Sequence, residues 1–398
     1  MQTASPYSKR LFTGASLLVL LFLIPTLVAC SNRNSTSSTG ITPTPHHTTG
    51  ATPEVLLGVQ PCPGAIKDAA HWNPIIPTQS GVSMVESVSC GNLTGNPSLQ
   101  ALVTVRHNGS ASLLDAYVYT NITGARPQQL FKLQGLYKGE AKISAYNTVI
   151  TGEVDQNSRI NLHKDNASLA QDLFREFKWS DGAGTLVQIA FPGIFPDLTR
   201  FQAEADQAQV NQGHQPWKLS ATLVANALAV SLLNWSPASP TTLLSGGGPR
   251  DSSAVVSVRS SAAVSGKIKV TLNRLEGNTN GGIWEAVDVA AGGMSITNPG
   301  QLALLSSPVN VKGTGNAFEG QAGQVIVLDH LYTNIGQAGA IGVVGMGNTS
   351  FSTSVSYQST FHAGSQEGVL VLNAYSNANG SIAAAVMVKA LVSSSTPA

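Results

Sequence analysis

Between Ser350 and Tyr357 the side chains alternate without a slip: Phe351, Thr353, Val355 and Tyr357 fall on one side, Ser350, Ser352, Ser354 and Ser356 on the other. A period of two marks a strand with one buried and one wet face, because successive side chains leave a pleated chain in opposite directions. The same period recurs at Ala101, Val103 and Val105, at Ala116 and Val118, and at Ile268, Val270 and Leu272. Turn-forming pairs such as Asn108-Gly109, Thr123-Gly124 and Asp181-Gly182 separate these runs. Many short strands punctuated in this way predict a mainly β chain. Charged residues make up 11 % of it, against ~25 % in an ordinary soluble domain, so Ser, Thr, Asn and Gln must carry the wet faces. A formal charge of +1 supplies no field for gathering nucleic acid, which is excluded as a partner.

The pattern divides the chain into three folded segments. Residues 55–195 are predicted to be a β-rich domain with strands at 101–106, 115–119, 129–133, 141–151 and 185–191 and a short helix over 168–177. In 196–293 the period changes. Asp197 or Thr199 can cap a helix that runs through Phe201, Ala205 and Ala208 and stops at Gly213. A second helix over 220–234 is apolar on more than one face and ends before Ser236-Pro237. Three strands follow, at 254–258, 267–272 and 283–289, which predicts a small α+β domain with helices packed on an antiparallel sheet. Residues 306–391 hold about seven short strands, as a β-sandwich does.

Ahead of these segments Lys9 and Arg10 precede an apolar run that closes with Leu27-Val28-Ala29-Cys30, the layout of a secretory signal. The last four residues resemble the lipobox of bacterial lipoproteins. That resemblance implies removal of residues 1–29 and lipidation of Cys30. The alternative is an uncleaved anchor, since the apolar body approaches the ~20 residues that span a bilayer. Both readings put the rest of the chain on the extracytoplasmic side of the cell membrane. Residues 30–54, rich in Ser, Thr and Pro, bury too little apolar surface to offset their ordering entropy and are expected to be a tether. The two remaining cysteines, Cys62 and Cys90, are predicted to bridge in an oxidising exterior. Closing a loop of about 28 residues contributes ~3 to 4 kcal/mol in the chain-entropy model.

The last segment carries a family resemblance. Ser307-Pro308-Val309-Asn310-Val311-Lys312-Gly313, Ala317-Phe318-Glu319-Gly320, the strand ending at Asp329, Phe351 to Tyr357, and Glu367-Gly368-Val369-Leu370 leading to Ser376-Asn377-Ala378-Asn379-Gly380 resemble the immunoglobulin-like domain at the C-terminus of bacterial spore germination proteins and other envelope lipoproteins. The resemblance covers roughly the last 90 residues. It implies an immunoglobulin-like β-sandwich, a non-catalytic module carried on exported proteins in germination or cell-surface settings, and it transfers no ligand residue. Asn379-Gly380 stands where Asp-Gly is common, with the turn chemistry intact.

Candidate chemistry is sparse. None of the eight histidines has HExxH spacing, and no G-x-S-x-G elbow precedes a helix. Asp329-His330, or Glu367 with His362, can be joined to a serine on paper only, because a serine-rich chain always permits it. Glu319 in Phe318-Glu319-Gly320 is the most prominent carboxylate, with fixation of its own loop as the expected role. Trp217, Trp235 and Trp284 line a sugar-binding groove in one reading and pack a core in the other. The turn from Cys90 to Pro97 has Asn92 and Asn96 where calcium would need carboxylates. The glycine run Ser245 to Arg250 lacks the G-K-[ST] ending of a phosphate loop and reads as a flexible connector, while His46 and His47 are incidental to the tether. No catalytic residue, metal site or cofactor is expected. The combined expectation is a lipid-anchored envelope protein of spore or cell surface that binds an envelope protein or wall polymer without catalysis. The competing expectation is a surface hydrolase acting on wall glycan or peptide, with its site between the first two domains.

Overall fold

The computed structural model describes residues 54–261, 266–277, 281–317, 321–342 and 347–394. The leader, Cys30, the tether up to Pro53 with His46 and His47, and Glu319 lie outside the described residues. Residues 53–398 cluster into one compact unit, and its architecture is mainly β, in several antiparallel sheets.

After the single turn α1 (Ala69–Trp72), strands β1 (Ser83–Gly91), β2 (Gln100–His107), β3 (Leu114–Thr120) and β4 (Gln128–Leu136) form one antiparallel sheet in chain order. Strands β5 (Glu140–Ile143), β6 (Val149–Glu153), β7 (Leu173–Ser180) and β8 (Thr185–Ile189) form a second. The first sheet is covered twice. Val103, Val105, Tyr117 and Tyr119 pack under Ile66, Trp72 and Ile76, while Leu102, Ala116 and Val118 meet Val149, Phe177 and Leu186 of the second sheet. Alternation in β2 therefore separates two buried faces rather than a dry one from a wet one, and even Thr104 is only 2 % exposed. The N-terminal cover is held down by the Cys62–Cys90 disulfide, Cα to Cα 5.2 Å, beside a bond from Gln60 N to the Cys90 carbonyl at 2.7 Å.

The helix expected over 168–177 is not formed. Its second half is β7, laddered on one side to β6 and on the other to β8. Strand β6 pairs with residues 173–177 and β8 with 176–180, so two edges together ladder the whole segment, which a lone helical turn cannot match. The predicted strand over 141–151 is a hairpin, β5 and β6, folded at Ser144 to Thr148.

The two long helices start and stop where their caps dictate. Thr199 Oγ1 accepts the Gln202 amide at 3.2 Å to open α2 (Arg200–Asn211), and Gly213 follows it with φ +87°. Ser220 Oγ accepts the Leu223 amide to open α3 (Ala221–Leu233), and Asn234 ends it at φ 54°. Strands β9 (Thr241–Gly246), β10 (Ser253–Arg259), β11 (Lys267–Glu276) and β12 (Ile283–Ala290) follow. The glycine run is thus not a loose connector: Ser245 and Gly246 finish β9, and Gly246 and Gly247, at φ +63° and +89°, turn the chain toward β10.

The remaining strands are β13 (Ser295–Asn298), β14 (Ala303–Leu305), β15 (Val309–Ala317), β16 (Gln321–Leu328), β17 (Asn334–Ile341), β18 (Gly347–Val355), β19 (Ser365–Tyr375) and β20 (Ile382–Ser393). Strands β13, β15 and β18 make a three-stranded sheet that closes over β16, β19 and β20 around Val311, Val325, Phe351, Leu370 and Val388. Phe351, Val355 and Tyr357 are buried and the intervening serines exposed.

The boundary drawn between 293 and 306 is crossed by one sheet. Its order is β17-β16-β19-β20-β12-β11-β10-β9, with β14 parallel to β20. The join is the Val289–Met387 pair between β12 and β20. Helix α3 covers β9 to β12 from one side, and its Val224 and Leu228, with Trp235 just beyond its end, share one core with Val256, Val270, Trp284, Val371 and Met387. Two separate domains would each leave a bare strand edge here, and the Val289–Met387 pairing brings the two edges into one sheet. The α+β segment and the sandwich are therefore parts of one body.

Candidate functional site

A cleft of about 730 Å³ opens between the first two sheets and the loop from Phe361 to Gly364, which connects β18 to β19. It lies between the first and the last sequence segments, not between the first and the middle one. Strand β4 supplies Leu133, Gln134 and Leu136; the ends of β6 and β7 supply Glu153, Arg175 and Phe177; β8 supplies Gln188; and the loop supplies Phe361 and His362.

Arg175 organises this site. Leu173, Arg175 and Phe177 share one side of β7, so the strand's own pleat delivers a guanidinium into an otherwise apolar row. Its Nη1 donates to Glu153 Oε1, its Nε donates to the Ser365 carbonyl at 3.1 Å, and its Nη2 donates to the Ala363 carbonyl at 3.3 Å. One planar group thereby ties two sheets to the loop, the fork geometry that lysine lacks. Gln188 adds a second tie, donating to the Ser365 carbonyl at 3.1 Å and accepting from Ser365 Oγ at 2.8 Å. Burial pushes the Glu153 carboxyl above its ordinary pKa while Arg175 pulls it back.

Several other polar groups of the cleft are also engaged. Asp155 accepts the Asn157 amide at 2.9 Å and the Thr360 hydroxyl at 2.5 Å. The Asn157 amide nitrogen lies 3.0 Å from His362 Nε2, and Tyr137 donates to Asn166 Oδ1 at 2.7 Å. Gln134 donates to Asp115 Oδ2 at 3.0 Å and to the Tyr117 hydroxyl at 3.2 Å. Asp115 is buried, which raises its pKa, but bonds from the Gly135 amide, Gln134, His107 and Tyr117 outweigh that and leave it below the ordinary carboxylate value. The same environment pushes Tyr117 up to about 12, burial first and the Asp115 charge second. The Asp155 charge raises Glu153 further, so the two acids stand within electrostatic reach of each other, and each is held by a partner of its own, Arg175 or Thr360. What the walls offer is a mix of amide, imidazole and carboxylate edges beside Phe177, Phe361, Leu133 and Leu136.

The other candidates serve the fold. Asp329 accepts the amides of Leu331 and Thr333 at 2.8 and 2.7 Å and so fixes a turn. His330 is buried with Nε2 3.7 Å from Asp172. Glu367 accepts the Phe191 amide at 2.9 Å and stands 3.3 Å from Lys389 Nζ, far from any role with His362. The triads drawn on paper are not assembled. The sugar-groove reading of the tryptophans also fails: Trp284 is fully buried and Trp235 is 4 % exposed, its indole donating to the Ile382 carbonyl. Trp217 packs against the same core. Asn92, also buried, accepts the Leu56 amide and donates to the Asn96 and Ser98 carbonyls, so it organises its turn as a neutral amide. Among the described residues no three of His, Cys, Asp and Glu are grouped to hold a metal.

The sequence matches no protein-family model and no curated protein. The site therefore has to be read from its own chemistry. Arg175, Glu153, Gln188 and Gln134 were not singled out in the sequence. The available signal was a lone arginine between Leu173 and Phe177 at strand spacing, masked when the segment is taken as a helix.

Proposed function

We propose that the chain is a lipid-anchored extracytoplasmic binding module and that the cleft around Arg175 takes a neutral wall polymer, a glycan with its amide substituents. The observation that carries this reading is the commitment of the cleft's polar groups. Glu153, Asp155 and Arg175 are all tied to structural partners, so the walls hold a fixed pattern of donors and acceptors. A pre-formed cleft with apolar faces and a few convergent polar edges is how proteins hold small polar ligands. One cation against two carboxylates gives it no attraction for a polyanion.

Two features support the location. The leader with its Cys30 tetrad is the layout of an exported, acylated chain, and the Cys62–Cys90 pair at 5.2 Å between Cα atoms suits an oxidising compartment. The resemblance of the last 90 residues to the immunoglobulin-like domain of germination and envelope proteins points the same way. Intact mass of the membrane-extracted protein tests the anchor: loss of residues 1–29 with a diacylglycerol-modified sulfur is expected, and an unmodified chain starting at Met1 overturns it. Retention of the fragment from Pro53 on insoluble wall glycan tests the cleft. The His362→Ala/Asn157→Ala variant, which alters only exposed rim residues, is expected to weaken retention at least tenfold. Release of new reducing ends or free amino groups by the wild-type fragment would instead establish the hydrolase.

A further inference from the structure

Away from the residues that line the cleft, the long sheet parts. Strands β12 and β20 share the single Val289–Met387 pair, and a groove of about 710 Å³ opens where they diverge, at the margin of the three-stranded sheet. Its lining includes the small apolar residues Ala290, Ala291, Ala383 and Ala384, with Met294, Leu244 and the polar Asn316 and Tyr375. Small apolar side chains leave room for a hydrocarbon chain and make no hydrogen bonds of their own. Leu244 is 53 % exposed, because a register shift in β9 between the partners of Val255 and Val256 pushes it out of the ladder.

One wall of this groove is cationic. Lys267 and Lys269 line it from β11, and Arg259 sits directly opposite Lys267 in the β10–β11 register. All three are exposed. Like charges directly opposed across a ladder destabilise it, and no described carboxylate makes an ion pair with Arg259 or Lys267. Asp288 lies two residues along β12 from Ala290, the register partner of Lys269, and Lys269 is the charge that acts on it, so the patch keeps an excess of positive charge. Apolar lining and cationic wall together define a ligand with two parts.

We infer that this groove binds a single-chain amphiphile with an anionic head group, a fatty-acyl phosphate or carboxylate, with the chain along the alanines and the head against Lys267, Lys269 and Arg259. The site is distinct from the neutral cleft around Arg175 and does not depend on it. A protein held at a membrane surface by Cys30 would meet such molecules at its own anchor.

Calorimetric titration of the fragment from Pro53, below the micelle threshold, separates the parts. Dodecyl phosphate is expected to bind one to one and at least tenfold more tightly than dodecyl maltoside, which has the chain without the charge. Inorganic phosphate, the charge without the chain, is expected to bind weakest. Each buried methylene is worth roughly fourfold in affinity, so octyl phosphate should lose on the order of 100-fold if the chain lies in the groove. Lys267→Gln/Lys269→Gln should lower dodecyl phosphate to the level of dodecyl maltoside, and Ala290→Phe should block both. The Met294 methyl resonance, from the lining of the groove, should shift on titration of the wild type, which reports occupancy even if Ala290→Phe misfolds. Equal affinity for charged and neutral heads, an unmoved Met294 resonance, or full binding by a folded Ala290→Phe protein each overturns the assignment.

Discussion

Arg200 is the residue whose removal reports most directly on how the sheets are joined. From the first turn of α2 its Nε donates to Glu176 of β7 at 2.6 Å and its Nη1 to Glu276 of β11 at 2.8 Å. The guanidinium also lies 4.3 Å from the Tyr146 ring and 5.1 Å from that of Phe191. Glu176 and Glu276 are both nearly inaccessible, at 2 % and 4 % side-chain exposure. Arg200→Met keeps the length of the aliphatic stem and leaves Glu176 and, where it is ionised, Glu276 buried without a cation, which costs about 3 to 5 kcal/mol. The size should depend on pH. Burial, opposed by Arg200, holds Glu276 up at about 8, against an ordinary value of 4.5. An acid whose folded pKa is raised binds its proton more tightly when folded. Its contribution is complete below about 4.5 and is lost as pH rises through about 8. A shift of this size corresponds to on the order of 5 kcal/mol across that window. Urea unfolding midpoints at pH 5, 6.5 and 8 test this for the wild type, Arg200→Met and Glu276→Gln. Glu276→Gln, which has no proton to lose, should flatten the wild-type decline between pH 5 and 8. Arg200→Met should be most damaging at pH 8 and mildest at pH 5, where Glu276 is neutral in any case. A Glu276→Gln protein that follows the wild-type pH curve, with Arg200→Met costing under about 1 kcal/mol, would refute the reasoning.

Three smaller effects follow from the same structure. Replacing Cys62 and Cys90 by alanine opens the loop that clamps the N-terminal cover and should cost about 2 to 4 kcal/mol in thermal unfolding, matched by reduction of the wild type and absent on reducing the variant. Thr199→Ala removes the side-chain acceptor of the Gln202 amide and should cost about 1 kcal/mol in denaturant unfolding, with Thr199→Ser near neutral. Asp115→Asn should be destabilising by about 1 to 3 kcal/mol at neutral pH. Because the folded pKa of Asp115 is lowered, its contribution is present above the ordinary carboxylate pKa and disappears as pH falls through the folded one, so the wild-type and Asp115→Asn curves should converge in acid.

Local chemistry made much of this fold legible. Thr199, Gly213, Ser220 and Asn234 bound their helices as cap preferences require, because a cap answers to backbone groups within a few residues. Serines at 350, 352, 354 and 356 face solvent because the period of a strand is set by its own pleat. The pairing of Cys62 with Cys90 was legible for a different reason, being the sole choice left once Cys30 is assigned to the leader. Local reading failed where partners were remote. The segment at 173–180 became a strand because β6 and β8 offered it two edges, and Leu102 and Thr104 were buried because a second sheet arrived on what would have been the wet face. The cleft was illegible on the same grounds: Arg175 meets Ala363 and Ser365 nearly 190 residues away, and no spacing in the chain encodes that approach.

The amino-acid order by itself determined the β character, the ends of the two long helices and the cystine, since each depends on a few neighbouring residues or on composition. Tertiary structure alone decided that β12 and β20 share a sheet, that Trp284 lies in a core, and that Arg175 faces a cleft. Those outcomes hang on which open edges and apolar faces find one another in space, and that choice minimises bare backbone and wet hydrocarbon over the whole chain at once.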